Sequence, residues 1–153
     1  MPPIARLIAA AAVMYAAAAG AQPSELPAPS VDQSRITMQM AENMRKSGNP
    51  QGAIRIYQQL AAKNDGHTDA HIALAGLYRK AGQAKDAVAV MRAAQERKPD
   101  DEAVLAALGS ALIDAGEHKE AVGVFDMLTA INHDSIPGYN GKGVAFDKAG
   151  NHL

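Results

Sequence analysis

The chain repeats itself every 34 residues, and this period constrains its fold more than any other feature. Four stretches share one pattern: "MRKSGNPQGA", "YRKAGQAKDA", "LIDAGEHKEA" and "FDKAGNHL". The positions that recur at this spacing are Gly48, Ala53, Gly82, Ala87, Gly116, Ala121 and Gly150. A fixed period of this length indicates a stack of similar supersecondary units.

Each unit has the pattern of two amphipathic helices joined by a tight turn. Apolar residues of the second unit recur at spacings of three and four in two runs, which are Leu74, Leu77, Tyr78 and Ala87, Val90, Met91, Ala94. Gly82 lies between these runs, where the end of a helix favours positive φ. Neither helix can bury its apolar stripe alone, so the hairpins are expected to stack and share a core.

Composition and charge exclude several classes of function. The sequence has no cysteine, so it can form no disulfide, thiolate metal site or catalytic thiol, and no lipid can be attached through a cysteine. Its 15 Lys and Arg residues and 16 Asp and Glu residues give a net charge of −1. Because there is no global basic field, we expect no nucleic-acid partner and only indirect membrane association.

The N-terminus has the layout of a secretory signal peptide at residues 1–21. Arg6 precedes an apolar run of about 13 residues, and small residues of the A-x-A type follow at 19–21. An uncleaved anchor is the alternative, although the run is shorter than the roughly 20 residues that span a bilayer. Residues 22–33 are rich in proline and predict an extended linker. We therefore expect a periplasmic or secreted protein.

With Gly48 at position 15 of the unit, the pattern resembles the tetratricopeptide repeat (TPR) family across residues 34–153. The family's small residue at position 8 falls on Ala41, Ala75, Gly109 and Gly143, and its aromatic position 24 falls on Tyr57, Met91 and Phe125. The position-4 tryptophan is absent. The resemblance implies an all-α solenoid of helical hairpins wound into a right-handed superhelix. The implied repeats are 34–67, 68–101, 102–135 and the truncated 136–153.

The fourth repeat stops at its position 18, Leu153, after one helix predicted at roughly residues 137–149. The apolar residues Val144, Ala145 and Phe146 are expected to cover the third repeat. We expect the native chain to continue with a further helix; the alternative is that this helix is itself the cap of the array.

Two stretches bear a superficial likeness to catalytic or ligand sites. His67 and His71 lie four residues apart beside Asp65 and Asp69, but a solvated turn and a packed imidazole explain both histidines better than a metal. The glycines of "GYNGKG" (138–143) lie in a predicted helix and indicate close helix packing rather than a phosphate cradle. We predict no catalytic residue, metal or cofactor, and no enzyme activity.

The resemblance implies that the first helix of each repeat, helix A, lines a groove for a protein partner. The groove residues carried over from the family include Arg35, Met38, Glu42, Arg45, Lys46, Ile72, Arg79, Lys80, Ala106, Ser110, Asn140 and Val144. Four of them form a basic step, Arg45, Lys46, Arg79 and Lys80, beside an apolar strip of Met38, Ile72 and Ala106. We therefore predict a peptide ligand with apolar anchors and nearby acids. The alternative is that the cations only complement helix dipoles.

The stretch "GYNGKGVAFDKAGNH" narrows the resemblance. It is similar to the TadD-type component of tight-adherence (Flp) pilus assembly, with Lys142 in place of a leucine and no lipidation cysteine in the chain. The matching residues are Tyr139, Asn140, Gly143, Val144, Ala145, Asp147, Gly150 and His152. This resemblance implies an exported, non-catalytic scaffold for pilus or secretion machinery, with no small-molecule substrate. The alternatives are an adaptor in cell-wall or polysaccharide assembly, and a segment of a larger exported enzyme.

Overall fold

Residues 31–63 and 67–150 form seven helices and no strand in the computed structural model, which describes these parts of the chain. The helices are α1 (Val31–Lys46), α2 (Pro50–Ala61), α3 (Thr68–Lys80), α4 (Ala84–Arg97), α5 (Glu102–Asp114), α6 (His118–Ile131) and α7 (Ile136–Lys148). The predicted signal peptide, most of the predicted linker and the last three residues lie outside the described residues. None of the described helices has the length and apolarity that crossing a bilayer requires.

The tight turns predicted from the glycine spacing are confirmed. Gly82 has a φ of 74°, in the left-handed region that glycine adopts without a steric penalty. Its N–H donates to the Arg79 carbonyl at 3.0 Å, and the N–H of Gln83 donates to the Tyr78 carbonyl at 2.8 Å. This pair of bonds is a Schellman motif, which satisfies carbonyls at the end of α3. The equivalent glycines of the other repeats also have positive φ.

Polar residues define the starts of three helices. The Asp101 carboxylate accepts hydrogen bonds from the N–H groups of Ala103 and Val104, at 3.0 and 3.1 Å, and so caps α5. Asn49 caps α2, and Ser135 caps α7 by accepting from the Gly138 N–H at 3.2 Å. These caps fix where each helix begins relative to the preceding turn.

The first helix begins earlier than the sequence indicates. Helix α1 starts at Val31, whereas the predicted extended linker ran to residue 33 and the predicted repeat began at Ser34. The last proline of the linker is Pro29, and the residues that follow carry no feature that breaks a helix. The linker prediction is therefore wrong for residues 31–33.

Small residues at the predicted crossings let the helices approach closely. Ala53, Ala87 and Ala121, which recur at position 20, are fully buried. The larger side chains Tyr57, Met91 and Phe125 fill the space beside them. Buried residues between Ala41 and Leu77 form one cluster and others between Ala75 and Ala145 form a second, and Tyr78 and Val90 pack against both. The core thus runs through the stack, as predicted for a helical solenoid.

Helix α7 packs on the third repeat, but only part of its predicted apolar face is covered. Ala145 is fully buried and Phe146 is half-buried, but Val144 is 46% exposed. Tyr139 is 56% exposed, whereas its equivalents in the preceding repeats, His71 and Leu105, are buried. The prediction that Val144 covers the third repeat is therefore wrong, because this side chain lies on the face of the helix-A row described next.

Candidate protein-binding groove

Two pockets lie along the row formed by the helices A, which are α1, α3, α5 and α7. The α3–α5–α7 pocket has a volume of about 380 Å³, and the α1–α3 pocket a volume of about 350 Å³. Arg79 lines the first and its neighbour Lys80 lines the second, so both pockets reach the last turn of α3. We call the two pockets together the helix-A groove.

Eight of the predicted groove residues line these pockets. The α3–α5–α7 pocket contains Arg79, Ala106, Ser110, Asn140 and Val144, and the α1–α3 pocket contains Glu42, Arg45 and Lys80. Met38 and Ile72 are half-buried and pack against the core instead, so only Ala106 of the predicted apolar strip lines a pocket. Arg35 and Lys46 are exposed and line neither pocket.

The sequence interpretation did not include Phe125 among the groove residues, although its ring contributes to the α3–α5–α7 pocket. The ring lies between two glycines. A Cβ built on Gly109 would be 2.5 Å from the Phe125 Cζ atom, and one on Gly141 would also overlap the ring. Gly109 and Gly141 were the sequence signal that could have identified this contact, because a glycine often marks a point where another group approaches the backbone closely. Close packing is thereby confirmed for Gly141, whereas Gly143 has open space beside it.

The predicted basic step is partly neutralised by carboxylates. Glu42 accepts a hydrogen bond from Arg45 Nε at 2.8 Å and has the Lys46 ammonium at 3.7 Å. Arg79 Nε donates to Asp114 Oδ2 at 2.6 Å. Lys80 makes no ion pair among residues 31–63 and 67–150. Three of the four cations of the predicted basic step are therefore paired with carboxylates, and the groove presents paired charges there.

The ion pair at Glu42 shifts the protonation equilibria of its members. The hydrogen bond from Arg45 lowers the pKa of Glu42 to about 2, and the charges of Arg45 and Lys46 add to this effect. The same contact raises the pKa of Arg45. Burial raises the pKa of Tyr57, whose hydroxyl lies 3.5 Å from Glu42. Glu42 is thus a fixed negative charge in the wall of the α1–α3 pocket at neutral pH.

Ion pairs outside the groove connect neighbouring helices. Arg92 of α4 contacts Glu120 of α6 at 2.9 Å, and Lys142 of α7 contacts Asp126 of α6. The Arg97 guanidinium donates to the Ala61 carbonyl at 3.1 Å, at the end of α2. These contacts orient successive hairpins and involve no pocket-lining residue of the helix-A groove.

His71, one of the two histidines that lie four residues apart, is packed inside the protein. His71 is buried, and its Nδ1 lies 3.0 Å from the His67 carbonyl oxygen, as expected for a packed imidazole. Within the described part of the chain, no three histidine, cysteine or acidic side chains come together in a way that could hold a metal ion.

Comparison with known proteins gives matches to one family. A family model described as tetratricopeptide repeat matches residues 44–110 and 79–141. No curated protein matches the sequence. A tetratricopeptide repeat protein from Parabacteroides merdae is similar in structure, with 19% identity, a TM-score of 0.71, and 84% of this chain and 50% of that one covered.

Two other solved structures share the arrangement of helices. MamA from Desulfovibrio magneticus has 18% identity and a TM-score of 0.66, over 77% of this chain and 67% of that one. The first TPR domain of Spaghetti, bound to the HSP90 peptide SRMEEVD, has 12% identity and a TM-score of 0.69, over 79% of this chain and 96% of that one. At these identities the likeness is one of fold.

Proposed function

Because this chain belongs to the tetratricopeptide repeat family, we propose that it is a non-catalytic scaffold that binds segments of partner proteins in the helix-A groove. A likeness of fold does not name a partner. The function is therefore argued from the groove itself.

The observation that carries this proposal is the construction of the α3–α5–α7 pocket. Three successive helices A contribute to it, and its lining combines apolar side chains such as Ile113 and Val144 with the polar side chains of Ser110 and Asn140. The α1–α3 pocket reaches the same last turn of α3, so an extended segment can place side chains in both. Alternating side-chain pockets along a row suit a peptide chain. The neighbour bound to an HSP90 peptide supports this use of the fold.

The finer role that we propose is the assembly of an exported envelope machine of the Flp pilus or secretion type. Two features of the sequence support it: the signal-like layout of residues 1–21, and the similarity of residues 138–152 to TadD-type proteins. In this role the protein is periplasmic or secreted, has no catalytic activity and acts through protein contacts alone.

Site-specific photo-crosslinking in intact cells tests both levels of the proposal. A photoreactive residue replaces Asn140, which lines the groove, and in a matched control replaces Ala93, which is exposed on α4 and lines neither pocket. We expect partners to crosslink at position 140 and not at 93, and we expect Ser110→Arg to abolish the crosslinks by filling the pocket. Equal crosslinking at both positions would refute binding in the groove.

The identity of the crosslinked partner tests the finer role. Pilus or secretion components are expected. Proteins of cell-wall or polysaccharide assembly, recovered at position 140 with the same dependence on Ser110, would leave the scaffold function in place and overturn the pilus role.

A further inference from the structure

The α3–α5–α7 pocket has apolar side chains in its lining that can receive a ligand side chain. Its apolar lining consists of Ala106 and Ile113 of α5, Phe125 of α6 and Val144 of α7. Val144 is 46% exposed, so a ligand side chain would remove apolar surface from water on both molecules. The chemistry that fits this apolar lining is an aliphatic side chain.

The rim of the same pocket carries an excess of positive charge. Arg79 and Lys148 come from the last turns of α3 and α7, and Asp114 is the one carboxylate among the pocket's described lining residues. Lys148 makes no ion pair within the described ranges, and Asn140, which lines the same pocket, is exposed. One further carboxylate would balance the charge of the rim, which favours an acidic ligand.

Asp114 is the exception among four equivalent positions. Lys46, Lys80 and Lys148 hold the same position in the other repeats, 34 residues apart, and only the third repeat has an acid there. This acid is bonded to Arg79 at 2.6 Å, across the boundary between two repeats. Both side chains are more than one third exposed. Exposed ion pairs of this kind contribute little net stability, so a second carboxylate can replace Asp114 at small cost.

We propose that the α3–α5–α7 pocket binds a peptide segment that carries an aliphatic side chain next to a carboxylate, and that Asp114 competes with that carboxylate for Arg79. The proposal rests on the function proposed above and adds the ligand chemistry and an internal competitor. In the free chain Asp114 holds Arg79 in a defined position; on binding, the ligand carboxylate takes its place while the aliphatic side chain enters the pocket.

Titration of the full chain with two labelled peptides tests the proposal. The probes are GSELESG and its neutral counterpart GSQLQSG, and binding is measured by NMR shifts of groove amides. We expect GSELESG to bind more tightly, and Asp114→Asn to strengthen its binding about 2- to 5-fold, the range that an exposed ion pair supports. Binding of GSQLQSG should not change.

The matched control is Asp126→Asn. It makes the same change in charge and also breaks an ion pair between helices, with Lys142, but it lies outside the pocket. We expect it to leave both affinities unchanged. Arg79→Ala should remove the preference for the acidic peptide, and Asp114→Asn should then give no gain. If Asp114→Asn impairs folding, as seen by thermal unfolding, Asp114→Ser provides the same comparison.

Three results would overturn the proposal. The first is equal binding of the two peptides, the second is an equal gain from Asp114→Asn and Asp126→Asn, and the third is no binding of either peptide by any variant. The function proposed above is judged separately, because crosslinking at position 140 does not depend on the choice of probe peptide. If crosslinks form at position 140 and any of these three results is also found, the proposed acidic ligand is wrong but the proposed scaffold function stands.

Discussion

Phe125 packs directly against Gly109, and the distances between them determine how much stability Gly109→Ala should lose. In Gly109→Ala, the new Cβ would lie 2.5 Å from the Phe125 Cζ atom and 2.7 Å from Cε1. The ring cannot move aside freely, because Gly141 of α7 holds it on the other side. Overpacking of this kind costs about 1–3 kcal/mol. The same substitution gains about 1 kcal/mol of helix propensity, so we expect a net destabilisation of up to about 2 kcal/mol.

Gly143→Ala is the matched control. Gly143 lies inside α7, as Gly109 lies inside α5, but a Cβ there would meet nothing within 4 Å. Only the propensity term remains, so we expect this variant to be more stable than the natural chain by up to about 1 kcal/mol. The difference between the two variants cancels propensity and isolates the steric cost, which we expect to be about 1–3 kcal/mol.

Urea unfolding followed by circular dichroism measures this difference. A second background, Phe125→Leu, removes the ring atoms that a Cβ at position 109 would meet. In that background Gly109→Ala should change the free energy of unfolding by the same amount as Gly143→Ala, even though the background itself is less stable. Equal stability of the two alanine variants in the natural background would refute the packing argument, as would a steric cost that persists without the ring.

Three further predictions concern the turns, the caps and the ion pair of α1. Gly82→Ala places a side chain at a φ of 74° and should destabilise the fold by about 1–2 kcal/mol in thermal unfolding; no loss would contradict the left-handed turn. Asp101→Ala removes the cap of α5 and should cost about 0.5–2 kcal/mol, whereas Asp100→Ala should cost less, since the cap bonds come from Asp101. The pKa of Glu42 is about 2 in the fold and 4.5 without its partners, so its contribution to stability is complete above pH 4.5 and is lost as the pH falls toward 2. The stability difference between the natural chain and Glu42→Gln should therefore shrink across that range, and a constant difference would show that the Arg45 contact does not act through charge.

The cations in and beside the helix-A groove have two compatible roles. Arg45, Lys46, Arg79, Lys80 and Lys148 all lie in the last turn of their helices, where they complement the helix dipole. Three of the five are also paired with a carboxylate in the described chain, which leaves less charge for a ligand than the sequence indicates. Attraction of an acidic partner through Lys80 and Lys148 should weaken with added salt, because both side chains are exposed and salt screens exposed charges.

The architecture of this chain could be predicted from sequence because it depends on local and periodic features. The 34-residue period requires stacked hairpins, since no single hairpin can bury its apolar stripe. Gly82 and its equivalents specify the turn because they adopt the left-handed backbone conformation that other residues avoid. Ala87 and its equivalents are small enough to let neighbouring helices cross closely. Even the Glu42–Arg45 pair had a local signal, because residues three apart on a helix are neighbours.

The composition of the site depended on contacts between repeats, which periodicity does not encode. The Arg79–Asp114 pair joins residues 35 positions apart, and its formation depends on how one hairpin is rotated against the next. The same rotation places Phe125 between Gly109 and Gly141. A repeat pattern assigns each residue to a face of its own helix. Only the tertiary structure decides which side chains of neighbouring helices contact that face.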